Sequence, residues 1–199
     1  MPLFRTRPRA LAGFLLLASL VPLGVGCGAS DPDPDPATHP QDVPLPTDAE
    51  RERIEKGLAV APVTVNLTGL DRDLVGLGSY IVNAQGGCND CHTNPPYVAG
   101  GDPFHGEPTQ INAANYLAGG MVFPGGITSR NITPDSMGMP AGLTVDEFLG
   151  VLRTGKVGGT LLQVMPWPIF SNMSEHDMRA IYEYLRAIPH AEPGASTMP

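Results

Sequence analysis

The sequence predicts an all-α domain in which helices and long loops surround a group that is not part of the polypeptide. Three observations predict this fold class. Apolar residues recur at helical spacing in three segments. About fifty residues between two of these segments have frequent glycine and proline and little periodicity. Glycine and proline number 24 and 22 among 199 residues, whereas aromatic residues make up only 6%. Such a composition makes it difficult to build a core from side chains alone.

The length and charge of the chain limit the function classes. A chain of 199 residues favours one domain with short appendages. The formal net charge is −8 and no run of lysine or arginine occurs, which argues against a nucleic-acid partner. Three cysteines are an odd number and too few for a disulfide scaffold, so each cysteine needs its own explanation.

Residues 1–26 have the pattern of a signal peptide. Three arginines, at positions 5, 7 and 9, precede an apolar stretch over residues 10–20 that is too short to span a bilayer comfortably. The following Gly-Val-Gly-Cys resembles a bacterial lipoprotein processing site, which would lipidate Cys27 and make it the new N-terminus. We therefore expect a periplasmic protein anchored to a bacterial membrane by lipid. Because Gly24 stands where such sites usually have an aliphatic residue, a soluble secreted protein is the alternative.

The segment 27–70 is predicted to be a tether. From residue 30 to residue 46, proline alternates with small or acidic residues, which favours an extended, solvated chain. This segment either lifts a folded domain off the membrane or is a disordered tail with no positioning role. Within it, Thr47 and Glu50 form a capping-box pattern that predicts a short charged helix over residues 47–58.

The first clear helix is predicted over residues 71–85. Leu74, Leu77, Ile81 and Val82 share one face of this helix. Gly86 and Gly87 are expected to end it.

The next five residues, Cys88-Asn89-Asp90-Cys91-His92, form a C-x-x-C-H motif, the pattern of a c-type haem attachment site. Thiols one helical turn apart can add to the two vinyl groups of one haem, and the adjacent histidine then lies under the iron as its proximal ligand. The sequence thus predicts one covalently attached haem, held by Cys88 and Cys91, with His92 on the iron.

Two other chemistries use the same cysteine spacing. A thioredoxin-like redox pair follows a strand in a βαβ unit, but no strand-like run precedes Cys88. A zinc site needs further ligands, and only His105 lies nearby. Both alternatives are therefore weaker than haem attachment.

Two more helices are predicted towards the C-terminus. Thr144 and Glu147 form a capping box before one helix, which ends at Gly155. Ser174 caps the other, and Pro189 ends it. Their apolar stripes are interpreted as packing surfaces without chemistry: Phe148, Val151 and Leu152 on the first, and Met178, Ile181, Tyr182, Leu185 and Ile188 on the second. The folded domain then covers residues 71–190, and residues 191–199 are a flexible tail. A short helix around residues 111–118 is also predicted in the long loop.

The second iron ligand is predicted to be Met165. It begins Met-Pro-Trp-Pro, in which two prolines stiffen the backbone so that a loop can hold sulfur on iron, and Trp167 can lie against the haem ring. A thioether ligand raises the reduction potential. Met173 and then Met121 are the next candidates, and Met165 as an ordinary buried residue is the alternative.

These motifs together resemble the monohaem class I cytochrome c domains of cytochrome subunits in bacterial membrane-bound alcohol and gluconate dehydrogenases. The resemblance implies the class I cytochrome c fold, with Met165 as the distal ligand of one haem c. Asn131 either lines the haem edge or belongs to a structural turn. The chain has one haem motif, whereas those subunits often carry three, so their particular role is not transferred. The matching stretches are 78–82, 88–93, 131–135, 144–155, 165–168 and 174–189.

The expected function is one-electron transfer between redox proteins of a respiratory or dehydrogenase chain, without a small-molecule substrate and without enzymatic activity. The acidic net charge favours a donor and an acceptor with basic docking surfaces. An open distal iron site would instead make the chain a haem enzyme or a sensor of gas or peroxide. A lipoprotein that needs haem only to fold is a third reading.

Overall fold

The computed structural model of the chain describes residues 45–194, which contain helices and two short hairpins. The predicted signal peptide, Cys27 and the tether up to residue 44 lie outside the described residues. A π-helical turn, Ile81–Gln85, continues the second helix, and 3₁₀ turns cover Pro103–His105 and Ala113–Asn115. The helices are α1 (Asp48–Val60), α2 (Arg72–Tyr80), α3 (Cys88–His92), α4 (Val145–Thr154), α5 (Trp167–Phe170) and α6 (Glu175–Ala187). The strands are β1 (Val122–Phe123), β2 (Ile127–Thr128), β3 (Lys156–Val157) and β4 (Thr160–Leu161).

The prediction of a mostly helical domain is confirmed, and the two hairpins are an addition to it. In the antiparallel pair β3–β4, Gly158 and Gly159 form the two-residue turn with φ of 55° and 84°. Positive φ at both turn positions is the geometry that matches the twist of a hairpin and that glycine adopts most readily. The predicted helix at 111–118 is reduced to the 3₁₀ turn Ala113–Asn115. No helix within residues 45–194 is long and apolar enough to cross a bilayer.

Helix α1 begins at the predicted cap, where the hydroxyl of Thr47 accepts a hydrogen bond from the backbone N–H of Glu50. Although the sequence analysis places residues 27–70 in the tether, α1 packs closely against α2. Gly57 of α1 and Gly76 of α2 meet backbone to backbone, because a Cβ on either would overlap the other helix. The hydroxyl of Ser79 also donates to the carbonyl of Gly57 at 2.7 Å.

Helices α2 and α6 cross in direct backbone contact at Gly78. A Cβ at this position would overlap the carbonyl group of Ala180 and crowd the Cβ of Tyr184. Helix α6 begins at the predicted cap, Ser174, and α4 begins at Thr144 with a complete capping box. The side chain of Asp71 caps α2, which the sequence analysis did not predict. The predicted apolar stripes form the core. The buried members are Leu77, Ile81, Val82, Phe148, Leu152, Met178, Ile181, Tyr182, Leu185 and Ile188.

A closed ring of three hydrogen bonds joins the π-helical turn to distant parts of the chain. The Tyr116 hydroxyl donates to Oδ1 of Asn83, and Nδ2 of Asn83 donates to the Tyr184 hydroxyl at 3.2 Å. Since the Tyr116 proton is used on Asn83, the Tyr184 hydroxyl is the donor in its 3.1 Å contact with Tyr116. The two tyrosines are fully buried, and the direction of every proton in the ring is fixed.

The loop that follows Tyr116 continues from this ring to the Cys-x-x-Cys-His turn. The backbone N–H of Leu117 donates to the Thr93 hydroxyl at 2.9 Å, and the N–H of Gly119 donates to the His92 carbonyl at 2.6 Å. Helix α6, the π-helical turn and the C-terminal end of α3 are therefore held by one continuous set of polar contacts.

Residues 191–194 are bonded to the loops, although the sequence analysis places them in a flexible tail. Nδ2 of Asn131 donates to the Ala191 carbonyl and Nδ2 of Asn115 donates to the Glu192 carbonyl, both at 2.8 Å. The rest of the predicted tail, residues 195–199, lies outside the described residues. Two loop asparagines thus hold the end of the domain.

We expect Gly78→Ala to destabilise the holoprotein by about 3 kcal/mol, because the added Cβ meets backbone that has no freedom to move aside. Thermal unfolding followed by far-UV circular dichroism measures the effect. Gly150→Ala is the matched control, since a Cβ there has open space within α4, and it should stabilise by about 0.5–1 kcal/mol. Equal effects of the two substitutions would contradict the close crossing.

We expect Tyr116→Phe to cost about 1–3 kcal/mol of unfolding free energy, because it leaves the buried Oδ1 of Asn83 without a donor. Chemical denaturation measures this cost. Tyr80→Phe is the control, since the Tyr80 hydroxyl makes no side-chain hydrogen bond within residues 45–194, and its change should be near zero. An equally small change in Tyr116→Phe would show that the ring of hydrogen bonds contributes nothing to the free energy of unfolding.

Candidate functional site

One apolar cavity lies between the π-helical turn, α3, α4, α6 and the two hairpins. None of its lining residues is an aspartate or a glutamate, and Arg130 is the only lysine or arginine among them. The cavity brings together four of the predicted site residues: Cys88, Cys91, His92 and Met165. Its apolar walls are Ile81, Val82, Phe123, Ile127, Ile132, Leu143, Phe148, Val151, Leu152, Val157, Leu162, Val164, Phe170, Ile181 and Leu185.

The two cysteines stand on one short helix, α3, at the edge of this cavity. Gly87 caps α3 in the left-handed region, with φ of 57°, and this reversal separates α3 from the preceding π-helical turn. Both thiols are free and half-buried. Cys88 and Cys91 are three positions apart and so lie on the same side of α3. Both therefore border the apolar cavity.

The thiol chemistry differs from that of a thioredoxin-like pair. Burial is the main cause that raises the pKa of Cys88 to about 12, with the neighbouring Cys91 as the second cause. Burial also raises the pKa of Cys91. A redox-active pair of this spacing instead needs a cysteine with a lowered pKa. Within residues 45–194, no three His, Cys, Asp or Glu side chains gather in a group that could hold a metal ion, so the zinc alternative gains no support.

The imidazole of His92 is fixed by a hydrogen bond from Nδ1 to the carbonyl of Arg130, at 2.9 Å. Because a carbonyl oxygen only accepts, Nδ1 carries the proton and Nε2 keeps its lone pair. Burial lowers the pKa of His92, while the Arg130 carbonyl opposes this shift by favouring the protonated ring. The neutral ring is oriented as a metal-ligating histidine is, by a partner on its other nitrogen. The sequence analysis missed Arg130, because nothing in a residue type signals a backbone acceptor.

Met165 lies in a loop that is held firmly to the end of α4. The backbone N–H of Leu162 donates to the Gly155 carbonyl at 2.7 Å, and the indole ring of Trp167 lies against Gly155. Gly155 has φ of 65°, and a Cβ there would overlap the indole ring. The half-buried thioether of Met165 is thus placed on the cavity wall by a rigid segment.

The other methionines differ in their burial and in whether they line the cavity. Met173 also lines the cavity and is half-buried, whereas Met121 is not among the lining residues. Met178 is fully buried in the core, as the sequence analysis predicts for it, and Met137 is exposed. Met165 and Met173 are therefore the two thioethers that the fold makes available to the cavity.

Trp167 and Asn131 have surroundings that the sequence did not indicate. Trp167 packs on Gly155 and is not among the residues that line the cavity, although Met165 two residues earlier is. Asn131 bonds to the C-terminal segment through Nδ2, and its Oδ1 accepts from the N–H and the hydroxyl of Thr133. Both side chains support loops beside the cavity, and their predicted contacts with haem stay predictions.

The residues of the cavity fit a covalently bound haem. The porphyrin requires an apolar space, two thiols that reach its vinyl groups and one nitrogen donor to iron. The cavity supplies apolar walls, the free thiols of Cys88 and Cys91, and the unprotonated Nε2 of His92. Two thioethers, of Met165 and Met173, are available as a further donor.

Comparison with known proteins supports the same interpretation. The chain is 38% identical over 116 residues to the gluconate 2-dehydrogenase cytochrome c subunit of Pantoea cypripedii. It is 31% identical over 132 residues to the cytochrome c subunit of the quinone alcohol dehydrogenase of Gluconobacter oxydans, and 29% identical over 116 residues to the fructose dehydrogenase cytochrome subunit of Gluconobacter japonicus. These matches cover 56%, 64% and 57% of this chain. No protein-family model and no solved structure matches the chain.

The matched regions are 22%, 24% and 21% of those three relatives, so the chain spans less than a quarter of their length. The relatives are named as cytochrome subunits of dehydrogenases, and the prediction of an electron-transfer protein that is not itself an enzyme agrees with these names. The resemblance to cytochrome c domains of alcohol and gluconate dehydrogenase subunits, drawn from the motifs of the sequence, is confirmed.

Proposed function

We propose that the chain is a c-type cytochrome that carries one electron at a time between redox proteins. The observation that carries this proposal is the meeting of Cys88, Cys91, His92 and Met165 on the wall of one apolar cavity. These residues come from two segments more than seventy positions apart, and the fold unites them where an apolar macrocycle can be enclosed.

Covalent attachment is the first part of the proposal. Cys88 and Cys91 would each hold the haem through a carbon–sulfur bond, made by addition of the S–H group across one vinyl group. This addition needs no oxidant. The bound haem supplies a one-electron iron couple. The two thioether links then fix its position relative to α3, and His92 lies next to them in sequence.

The second part is the ligation of the iron by His92 and Met165. Nδ1 of His92 holds its proton on the Arg130 carbonyl and leaves Nε2 for the metal. The Met165 loop is fixed on Gly155, so its thioether needs little reorganisation when the oxidation state changes. An iron held by both His92 and Met165 would have no open position for a substrate, which would favour electron transfer over substrate chemistry. The fold around one haem would then be that of a class I cytochrome c.

The third part concerns location and partners. We propose that residues 1–26 direct export to the periplasm and that lipidated Cys27 anchors the chain to a membrane, with residues 27–44 as spacer. The names of the relatives support a redox donor and acceptor in a dehydrogenase or respiratory chain. The net charge favours partners with basic surfaces.

We expect Met165→Ala to lose the weak charge-transfer band at the red end of the visible spectrum that reports thioether ligation of oxidised haem, and to have a lower reduction potential, because a thioether ligand raises that potential. Absorption spectroscopy and voltammetry of the purified holoprotein measure both. A pyridine haemochrome spectrum first checks that one haem c is attached, and its loss in Cys88→Ala with Cys91→Ala tests the attachment site.

Met173→Ala is the matched control, because its thioether lines the same cavity. It should keep the band and shift the potential only slightly. Loss of the band in Met173→Ala alone would assign the ligand to Met173. Retention of the band in both single variants would contradict ligation by Met165, and absence of the band from the unaltered protein would favour an open iron site that binds small ligands.

We expect Cys27→Ala to move the haem-containing protein from the membrane fraction to the soluble periplasmic fraction, because no acyl chain can then be attached. Haem-stained gels of fractionated cells measure the distribution. Ser30→Ala changes a nearby small residue and should leave the protein with the membrane. A membrane-bound Cys27→Ala protein would contradict lipid anchoring.

A further inference from the structure

His190 lies just after the end of α6 and connects the end of the domain to a distant loop. Nδ1 of its ring is 2.8 Å from the Pro134 carbonyl oxygen and 3.3 Å from the Thr133 hydroxyl. Nε2 is 2.9 Å from Oε1 of Glu192. Both ring nitrogens therefore face oxygen atoms, although the His190 side chain is half exposed, at 52%.

These contacts require the positively charged form of the ring. The Pro134 carbonyl only accepts hydrogen bonds, so Nδ1 of His190 carries a proton. The carboxylate of Glu192 also only accepts, so Nε2 carries a second proton. A neutral ring with its proton on Nδ1 would instead turn a lone pair towards that carboxylate. The arrangement is therefore stable only while His190 is protonated.

The charged groups around His190 favour its protonation. Among the described residues, the carboxylates of Glu192 and Asp135 act on the ring. The pKa of His190 is raised above its ordinary value of about 6.5, mainly by the hydrogen bond with Glu192 and then by that with the Pro134 carbonyl, while desolvation opposes the shift. The stability from these contacts is complete below that ordinary value, and it is lost as the pH rises through the raised pKa.

The loop that His190 contacts is joined to the end of the domain by further hydrogen bonds. Oδ1 of Asn131 accepts from the N–H and the hydroxyl of Thr133, and Nδ2 of Asn131 donates to the Ala191 carbonyl at 2.8 Å. The Thr133 hydroxyl also accepts from the N–H of Ala191 at 3.3 Å. Residues 131–134 and 190–192 thus form one hydrogen-bonded unit, and His190 is its titratable member.

Arg130 directly precedes this unit, and its carbonyl accepts the hydrogen bond from Nδ1 of His92. The backbone of Gly119 packs against the peptide group between Arg130 and Asn131, because a Cβ on Gly119 would overlap both residues. The N–H of Gly119 also donates to the His92 carbonyl. The peptide group that orients His92 is therefore held by Gly119 and, through Asn131, by the end of the domain.

We propose that His190 is a positioning residue for His92: its protonated ring holds residues 133 and 134 to the end of the domain and so keeps the Arg130 carbonyl on Nδ1 of His92. The inference rests on the proposed function, in which His92 binds the iron, and deepens it by adding control by pH. A hydrogen-bond partner on the far nitrogen makes a ligating histidine more basic. Loss of the His190 proton loosens this partner, so that the oxidised iron is stabilised less and the reduction potential rises.

The first test is voltammetry of the holoprotein from about pH 5 to about pH 9, a range that spans histidine titration. The charge of His190 itself would act in the opposite direction, because a positive charge near the iron favours the reduced form. The measurement therefore uses about 1 M salt, at which the Debye length is about 3 Å. The reduction potential should step upward as the pH rises through the pKa of His190. A downward step, or no step, would overturn the inference.

Two variants assign the step to His190. In His190→Asn, the amide can still donate to the Pro134 carbonyl but does not titrate, so the step should be lost. In Glu192→Gln, the acceptor oxygen stays but its charge is lost, so the pKa of His190 falls and the step should move to lower pH. A step that is unchanged in both variants would overturn the inference.

His176→Asn is the matched control. Nε2 of His176 is 3.1 Å from Oε1 of Glu50, which is the same kind of contact, but it joins α6 to α1 and not to the loop after Arg130. The step in reduction potential should be unchanged in this variant. Loss of the step in His176→Asn as well as in His190→Asn would show that any histidine–glutamate pair has this effect, and would overturn the inference.

The second test measures hydrogen exchange of the Nδ1–H of His92 by NMR, at one pH below about 6.5, where the contacts of His190 are complete. His190→Ala should exchange this proton about twofold to fivefold faster, since exposed ion pairs contribute modestly to local stability. His176→Ala should exchange it at the unaltered rate. Equal rates in both variants would contradict the proposal. If His190→Ala fails to fold, His190→Asn measured above the pKa of His190 decides, and it should then exchange more slowly than the unaltered protein.

Failure of the proposed function gives a different result. A pyridine haemochrome spectrum and a reversible one-electron voltammogram of each variant are recorded first. A protein without covalent haem, or without reversible reduction, would overturn the proposed function and this inference together. A protein with both properties, but with the same pH dependence of the reduction potential with and without His190, would overturn the positioning role alone.

Discussion

The backbone contact between α2 and α6 is the constraint on which the rest of the domain depends. At Gly78 the two helices approach so closely that no side chain fits between them. This approach brings Ile81 and Val82 opposite Ile181 and Leu185, and these four residues form the inner wall of the cavity. A larger residue at the crossing would separate the helices and open this wall to water. The cavity is therefore a product of helix packing as much as of the loops around it.

The π-helical turn is the second element that shapes the cavity. One wide turn at the end of α2 turns Asn83 towards two tyrosines and leaves Ile81 and Val82 on the cavity side. Such turns are frequently found at functional sites. Here the turn lies between the helix crossing and the Cys-x-x-Cys-His motif, so the two features have a fixed separation. The ring of hydrogen bonds gives both ends of the Asn83 amide a partner. Without these partners, the polar amide would be costly to bury beside two core tyrosines.

Local signals in the sequence predicted much of the fold. Helices α1, α4 and α6 begin at the predicted caps, because a capping residue acts over a few positions. The C-x-x-C-H motif and Met165 are also recognisable from local patterns, and the fold brings both to the cavity. The contacts made by Arg130, Trp167 and Asn131 could not be predicted, since each depends on a residue brought close only by the fold.

The contacts that complete the domain join residues far apart in the sequence, and this has a consequence for folding kinetics. Asn83 and Tyr184 are separated by 101 positions, and Asn131 meets Ala191 across 60. Contacts between distant residues form late and slow the folding of small domains. The inner wall of the cavity cannot form until α6 has been synthesised, and the last loop contacts wait for residues 191–194. A chain that stops before Ser174 therefore has the Cys-x-x-Cys-His motif but lacks the α6 residues that complete the cavity wall.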